Sequence, residues 1–323
     1  MISNAICAQT NLIYNGDFEE YSSCPLFESS PFQFPKEIEK CLGWRTPTYG
    51  TSDYFNSCAT NPTISVPVNA LGEQIPFNGN AYVGGSIGNF TGGAGDDGYT
   101  GIMWWEYIQG HTISPLELGK VYKFSMEVSL AEYSDLLIKE IGVYFSPNAL
   151  SSPNTASLSI SPQCKFYNSN YFSDTLNWIH LECYFIAQGG VKFVTIGNFN
   201  DNIVTDTLRR YDYGPLLSNP FVTYMYYDNV QLIESIDFEI SNIFSPNEDN
   251  INDLWNPPFL LNNAEVIIMN RWGNIIINLN ENKPYWDGKD NQGNIVTDGV
   301  YFYTIRNQNS NQILFQNFIS VIK

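Results

Sequence analysis

Val121–Leu130 reads VYKFSMEVSL. Tyr122, Phe124, Met126, Val128 and Leu130 alternate with Lys123, Ser125, Glu127 and Ser129, which is the period of a strand with one face turned to a core. The same rhythm returns in Ile141–Phe145 and in Trp178–Ile186 (WIHLECYFI). Val191–Ile196 and Met225–Ile233 (MYYDNVQLI) are further runs rich in β-branched and aromatic residues. Helical periodicity is scarce, and only Ser134–Ile141 holds it for one or two turns. Long Gly/Asn/Pro segments such as Asn78–Gly101 read as loops on this scaffold. Strands at this spacing predict an all-β protein with a jelly-roll-like sandwich.

Composition narrows the function classes. Fifteen Lys and Arg against 33 Asp and Glu give a net charge of −18 over 323 residues. A chain so acidic has little with which to neutralise phosphates, so nucleic acid and anionic lipid surfaces are poor partners. Charged residues make up only 15%, and aromatic residues, with 21 Tyr and 21 Phe, another 15%. That balance suits an extracellular β protein. Two His in the whole chain argue against a multi-His metal site or a His-based triad. No apolar run is long enough for a membrane-spanning helix.

Asparagine marks a boundary. Residues 1–235 hold 19 Asn, whereas residues 236–323 hold 18 in little more than a third of that length. The expected division is a module over 10–235 and a second domain over 236–323. Residues 1–9 (MISNAICAQ) are expected to be the residual end of a signal peptide or a disordered tail. The second domain shows short β runs at Ile240–Phe244, Ala264–Asn270, Asn274–Leu279, Gly299–Arg306 and Leu314–Ile322, the size and rhythm of a small immunoglobulin-like sandwich.

Beyond Cys7, the cysteines are Cys24, Cys41, Cys58, Cys164 and Cys183. None forms a CxxC pair, which argues against zinc, and in an exported protein they are disulfide candidates. Cys164 with Cys183, closing a loop between neighbouring strands, is the first expected pair. One of the five is left over.

Catalytic signatures are missing: there is no nucleophile elbow, HExxH, P-loop or GxGxxG ahead of a helix. His111 and His180 are isolated, and Asp53, Glu106 and Asp97 are the carboxylates open to glycosidase chemistry. Glycan binding needs rings to stack on sugar faces and oxygens to bond hydroxyls. The candidate platform is Trp104, Trp105 and Tyr107, with Tyr82 and Tyr99 near in sequence and Asn89, Asp96 and Asp97 on the intervening loop.

FSPNEDNINDLW at Phe244–Trp255 is followed by Asn270-Arg271-Trp272-Gly273, Trp286-Asp287-Gly288 and Asp298-Gly299-Val300-Tyr301. With Ser245, Pro246, Asn247 and Asp249, these motifs resemble the gliding-motility-associated C-terminal domain, the type B sorting domain of type IX secretion substrates, over about residues 238–323. Glu248 and Asn250 stand where that family usually has glycine. The motifs themselves read as architecture. Asp298-Gly299 is a turn before a strand, and Trp272 and Trp286 are expected to plug a small core. Asn247, Asp249, Asn252 and Asp253 cluster oxygens that either bind calcium or satisfy their own loop.

NLIYNGDFEE at 11–20 and Tyr227-Asp228-Asn229-Val230 resemble the first and last strands of galactose-binding-like jelly rolls found in carbohydrate-binding modules. That resemblance implies a structural calcium shared by Asp17, Glu19 and Asp228. No other cofactor is expected. Together the resemblances imply a non-enzymatic binding or adhesion protein at the cell surface or secreted. It would be exported by type IX outer-membrane components and would bind a glycan or another surface ligand. A glycoside hydrolase and a purely structural adhesin are the alternatives.

Overall fold

The computed structural model describes residues 10–27, 36–89, 105–200, 205–210, 222–235, 241–257, 264–280, 282–308 and 311–323. The chain divides into two compact units: Met1–Pro115, Lys123–Cys183 and Gly190–Ile233 form one, and Leu116–Tyr122, Tyr184–Gly189 and Glu234–Lys323 the other. Among the described residues no helix is long and apolar enough to cross a membrane.

Among the described residues, twelve strands belong to the first part of the chain. They are β1 (Asp53–Asn56), β2 (Val68–Asn69), β3 (Gly72–Glu73), β4 (Ala81–Asn89), β5 (Ile108–His111) and β6 (Val121–Leu130), then β7 (Leu136–Ser146), β8 (Cys164–Phe172), β9 (Ile179–Ile186), β10 (Phe193–Gly197), β11 (Thr207–Arg209) and β12 (Val222–Glu234). One sheet runs β1-β4-β12-β6-β9. The other runs β11-β7-β10-β5, with β8 also pairing β7. Alternation sends Phe124 of β6 and Phe145 of β7 into the space between the sheets, where their rings meet edge to face at 5.5 Å.

In these strands the sequence expectation fails at Ser134–Ile141 and at Asn78–Gly101. Ser134–Ile141 is not helical; its apolar residues are part of β7, which β8, β10 and β11 all pair. A local helical rhythm yields here to a strand paired on both edges. The Asn78–Gly101 segment is not all loop, because it contains β4, an interior strand. Its glycines are there for space: a Cβ on Gly84 would collide with the Tyr224 ring, and one on Gly85 would stand 3.2 Å from Ser52 Oγ and 3.3 Å from Glu106 Cβ.

Among the described residues two disulfides form, Cys24–Cys58 and Cys164–Cys183, with Cα separations of 5.7 and 6.2 Å. The second joins β8 in one sheet to β9 in the other, so it crosslinks the two layers rather than neighbours within a sheet. Cys41 is the thiol left over and is buried. Asn15 Nδ2 donates to its sulfur at 3.3 Å.

The other unit holds β13 (Ile243–Phe244), β14 (Ala264–Met269), β15 (Ile275–Leu279), β16 (Gly299–Asn307) and β17 (Ile313–Val321) in the order β13-β17-β16-β14-β15. Opposite this sheet, Trp255 and Trp286 exchange two backbone hydrogen bonds of 2.9 Å. Their rings fill the core, Trp255 on Tyr303 at 4.8 Å, and Trp286 on Phe244 at 5.1 Å and on Tyr301 at 5.3 Å.

Trp272 does not plug this core. It is 77% exposed at the tip of the β14–β15 turn, beside Arg271. The turn sets its position: Asn270 Oδ1 accepts the Trp272 and Asn274 amides, and Gly273 adopts φ +81°, so the tip residue points away from the sheet. Trp255 takes the core position expected for it. The other motif residues build turns. A Cβ on Gly288 would meet Pro246 Cγ at 2.6 Å, Lys289 donates its amide to Asp287, and Tyr301 Oη donates to Thr297 at 2.8 Å. Gly299 takes φ +150°, and Asp298 accepts the Lys323 amide.

Candidate functional site

The residues singled out for stacking on sugar do not form a platform. Tyr82, Trp105 and Tyr107 are all buried. Tyr107 packs on Phe199 at 5.2 Å and donates to the Asn198 carbonyl at 2.6 Å. Trp105 packs in the same cluster. Residues wanted for a wet surface are here the apolar filling of a sandwich. Asn89 ends β4, and Asp96, Asp97, Tyr99 and Trp104 lie outside the described residues.

The two described carboxylates considered for hydrolysis are structural as well. Glu106 is buried, accepting the Thr51 and Ser86 amides and the Thr51 hydroxyl. Asp53 is buried and accepts the Tyr224 hydroxyl at 2.8 Å. His111 Nδ1 lies 3.2 Å from the Gly43 carbonyl, and His180 Nδ1 lies 2.7 Å from Glu127, whose carboxylate raises the imidazole pKa.

The expected calcium ligands are not gathered. Asp228 is fully buried, and its carboxylate accepts the amides of Phe77, Asn78 and Asn229. Glu19 accepts the Asn80 amide and Asn80 Nδ2, while Asp17 faces solvent. On the other loop, Asp253 accepts the amides of Asn247, Glu248 and Asn250, and Asn247 and Asp249 close two further Asx turns. Among the described residues no group of three or more such side chains is placed to hold a metal ion. Asp228, Glu19, Asp253, Asn247 and Asp249 each accept backbone amides instead.

What Asp228 and Glu19 do instead is hold the segment after β3, and that segment walls a cleft. The cleft has a volume of about 340 Å³, within the roughly 300–1,000 Å³ of small-molecule sites. Glu73, Gln74, Ile75, Pro76 and Phe77 form one side, Glu132 stands at the turn after β6, and Leu176 and Trp178 come from the loop before β9. Ile75 (69%), Phe77 (48%) and Leu176 (83%) expose apolar surface.

Trp178 is half-buried and fixed. Its ring meets Tyr82 edge to face at 5.8 Å, and its Nε1 donates to the Ile75 carbonyl at 2.8 Å. With the buried Gln74 amide turned so that both its ends are satisfied, its oxygen also lies 2.8 Å from that indole nitrogen and its nitrogen donates to Thr175. Tyr82, expected at a sugar, instead supports the Trp178 ring. The rim is acidic: Glu73 and Glu132 both line it, and Glu132 Oε2 accepts the Glu73 backbone amide at 3.2 Å.

Sequence reading missed this site because its parts lie a hundred residues apart. Trp178 was legible only as the first residue of an alternating run, and nothing local in Glu73–Phe77 marks it as a wall.

Residues 238–321 match the CHU_C type IX secretion signal domain. That domain directs export across the outer membrane to the cell surface or the extracellular space. No curated protein matches the chain. Among solved structures, the K1 cleaved adhesin domain of Lys-gingipain from Porphyromonas gingivalis W83 is similar at 14% identity, covering 60% of this chain and 92% of that one, with a TM-score of 0.30. The CBM22-1 xylan-binding domain of Paenibacillus barcinonensis Xyn10C is similar at 9% identity over 64% and 92%, TM-score 0.30. The adhesin domain of Epf from Streptococcus pyogenes is similar at 10% identity over 97% of both chains, TM-score 0.28.

Proposed function

We propose that this chain, exported through the type IX secretion signal domain that residues 238–321 match, is a non-enzymatic binding protein whose larger unit holds a glycan in the Trp178 cleft. The observation that supports the reading is the preset indole. Its N–H is already bonded and its ring is braced by Tyr82, so no order has to be imposed on it when a ligand arrives. Sugars present flat C–H faces and rings of hydroxyls. Trp178 and Phe77 offer apolar surface to the first, and Glu73 and Glu132 offer acceptors to the second. Outside the cell the partners are the outer-membrane components that read the folded signal domain and the glycan that fills the cleft.

Two measurements test this. Deletion of residues 236–323 should stop delivery in a host with the matching secretion system, followed by fractionation; unchanged arrival at the surface contradicts the export half. For the binding half, the full chain is passed over a panel of immobilised polysaccharides. Wild type should be retained on at least one and Trp178→Ala on none, with no reducing ends released. Release of reducing sugar would make the protein an enzyme.

A further inference from the structure

We propose that the cleft takes an amine-bearing sugar, a hexosamine unit with a free ammonium group, and rejects anionic glycans. This rests on the glycan reading of the same cleft. The charge pattern carries it. Glu73 and Glu132 are its two charged lining residues, and the Glu73 backbone amide holds the Glu132 carboxylate at this rim. Among the described residues neither carboxylate enters an ion pair with Lys, Arg or His. Arg210 Nη1 donates to the backbone carbonyls of Glu132 and Ser134 at 3.4 Å.

Two carboxylates lining one cleft attract a cation. A cleft lined by one sign of charge also concentrates ligands of the opposite sign, and the chain as a whole carries −18. The aromatic surface favours the same ligand, since ring faces attract an ammonium group. A uronate or sulfated sugar would bring a third negative charge to this rim. An N-acetylated sugar loses the ammonium group while keeping the ring and hydroxyls, so it isolates the charge contribution.

The test is calorimetry of the full chain with three oligosaccharide probes of equal length: a glucosamine oligomer, its N-acetylated counterpart and a polyuronate oligomer. The glucosamine oligomer should bind at least tenfold more tightly than the N-acetylated one, and most of that margin should vanish between about 20 and 300 mM salt. The polyuronate should not bind. Glu132→Gln keeps an acceptor for the Glu73 amide, so it should retain the wild-type melting temperature while the margin falls below threefold; Glu73→Gln is the second variant. A polyuronate that binds as well as the amine, or a margin untouched in both variants, overturns the proposal. Equal binding of the amine and N-acetylated probes, lost in Trp178→Ala, overturns the charge preference and leaves the glycan reading standing. If none of the three probes binds and no polysaccharide is retained either, both fall together.

Discussion

Asp228 Oδ2 accepts the backbone amide of Phe77 at 2.9 Å across 151 residues of sequence. The same oxygen accepts the Asn78 amide at 3.2 Å. Asp228, buried midway along β12, thus holds the segment after β3 at Phe77 and Asn78, and Glu19 holds its end through Asn80. The bond links the large unit's closing strand to the wall of the cleft.

That carboxylate makes stability depend on pH. Burial pushes Asp228 up to about 7 from an ordinary 3.8, against the pull of three amide hydrogen bonds. An acid whose folded pKa is raised binds its proton more tightly in the folded state. Its contribution therefore favours folding at low pH and declines as pH rises from about 4 to about 7, by at most about 1.4 kcal/mol per unit. Asp228→Asn removes the titration. The melting-temperature difference, wild type minus variant, should fall across that window and level off above it; a flat difference would refute the assignment.

Gly16 tests how the first residues join the last strand. Leu12 donates to Leu232 and Val230 donates to Gly16, each at 2.7 Å, and Asn11 bonds Val230 and Leu232. A Cβ on Gly16 would stand well under 3 Å from the Val230 carbonyl oxygen. Gly16→Ala should lose about 2 kcal/mol or more in denaturant melts, because backbone rather than a pliable side chain would have to move. Gly190→Ala is the comparison: nothing lies near its Cβ, and only its φ of +69° is unfavourable, at about 1 kcal/mol. Equal losses would show that the close approach does not matter.

The thiols give a chemical check. Alkylation of the native chain followed by mass spectrometry should leave Cys24–Cys58 and Cys164–Cys183 as disulfides and Cys41 unmodified. Burial both shields the Cys41 thiol and raises its pKa well above the usual value, leaving little thiolate to react. Replacing Cys164 and Cys183 together by Ser should lower stability by about 3 kcal/mol, as expected for a crosslink closing a loop of this length. Rapid labelling of Cys41 before denaturation would contradict its placement.

Strand identity was legible wherever alternation was clean, as in Val121–Leu130, and illegible in Ala81–Asn89, where Gly84 makes room for Tyr224, 140 residues away. The Cys164–Cys183 pair was legible, but its role across two sheets depends on long-range pairing that spacing does not encode. In the Phe244–Trp255 loop, Glu248 and Asn250 keep left-handed backbone, each at φ +66°. Asp253 holds both amides, so the loop keeps its shape without the glycines. The cleft was not legible because its charge, ring and walls come from three separate turns.

Trp272 and Trp286 sit in similar motifs and are predicted to differ sharply. Trp286 is fully buried, packs on Phe244 and Tyr301, and donates its indole N–H to the Lys289 carbonyl at 2.8 Å. Trp286→Ala opens a cavity and orphans that carbonyl, so it should lose about 3–5 kcal/mol. Trp272 stands at a turn whose shape is set by Asn270 and Gly273, and its ring meets Arg271 at 5.6 Å. An exposed contact of that kind contributes little, so Trp272→Ala should stay within about 0.5 kcal/mol of wild type. Calorimetric unfolding of the full chain measures both. A loss of several kcal/mol in Trp272→Ala would return that ring to the core and overturn the assignment of the exposed turn.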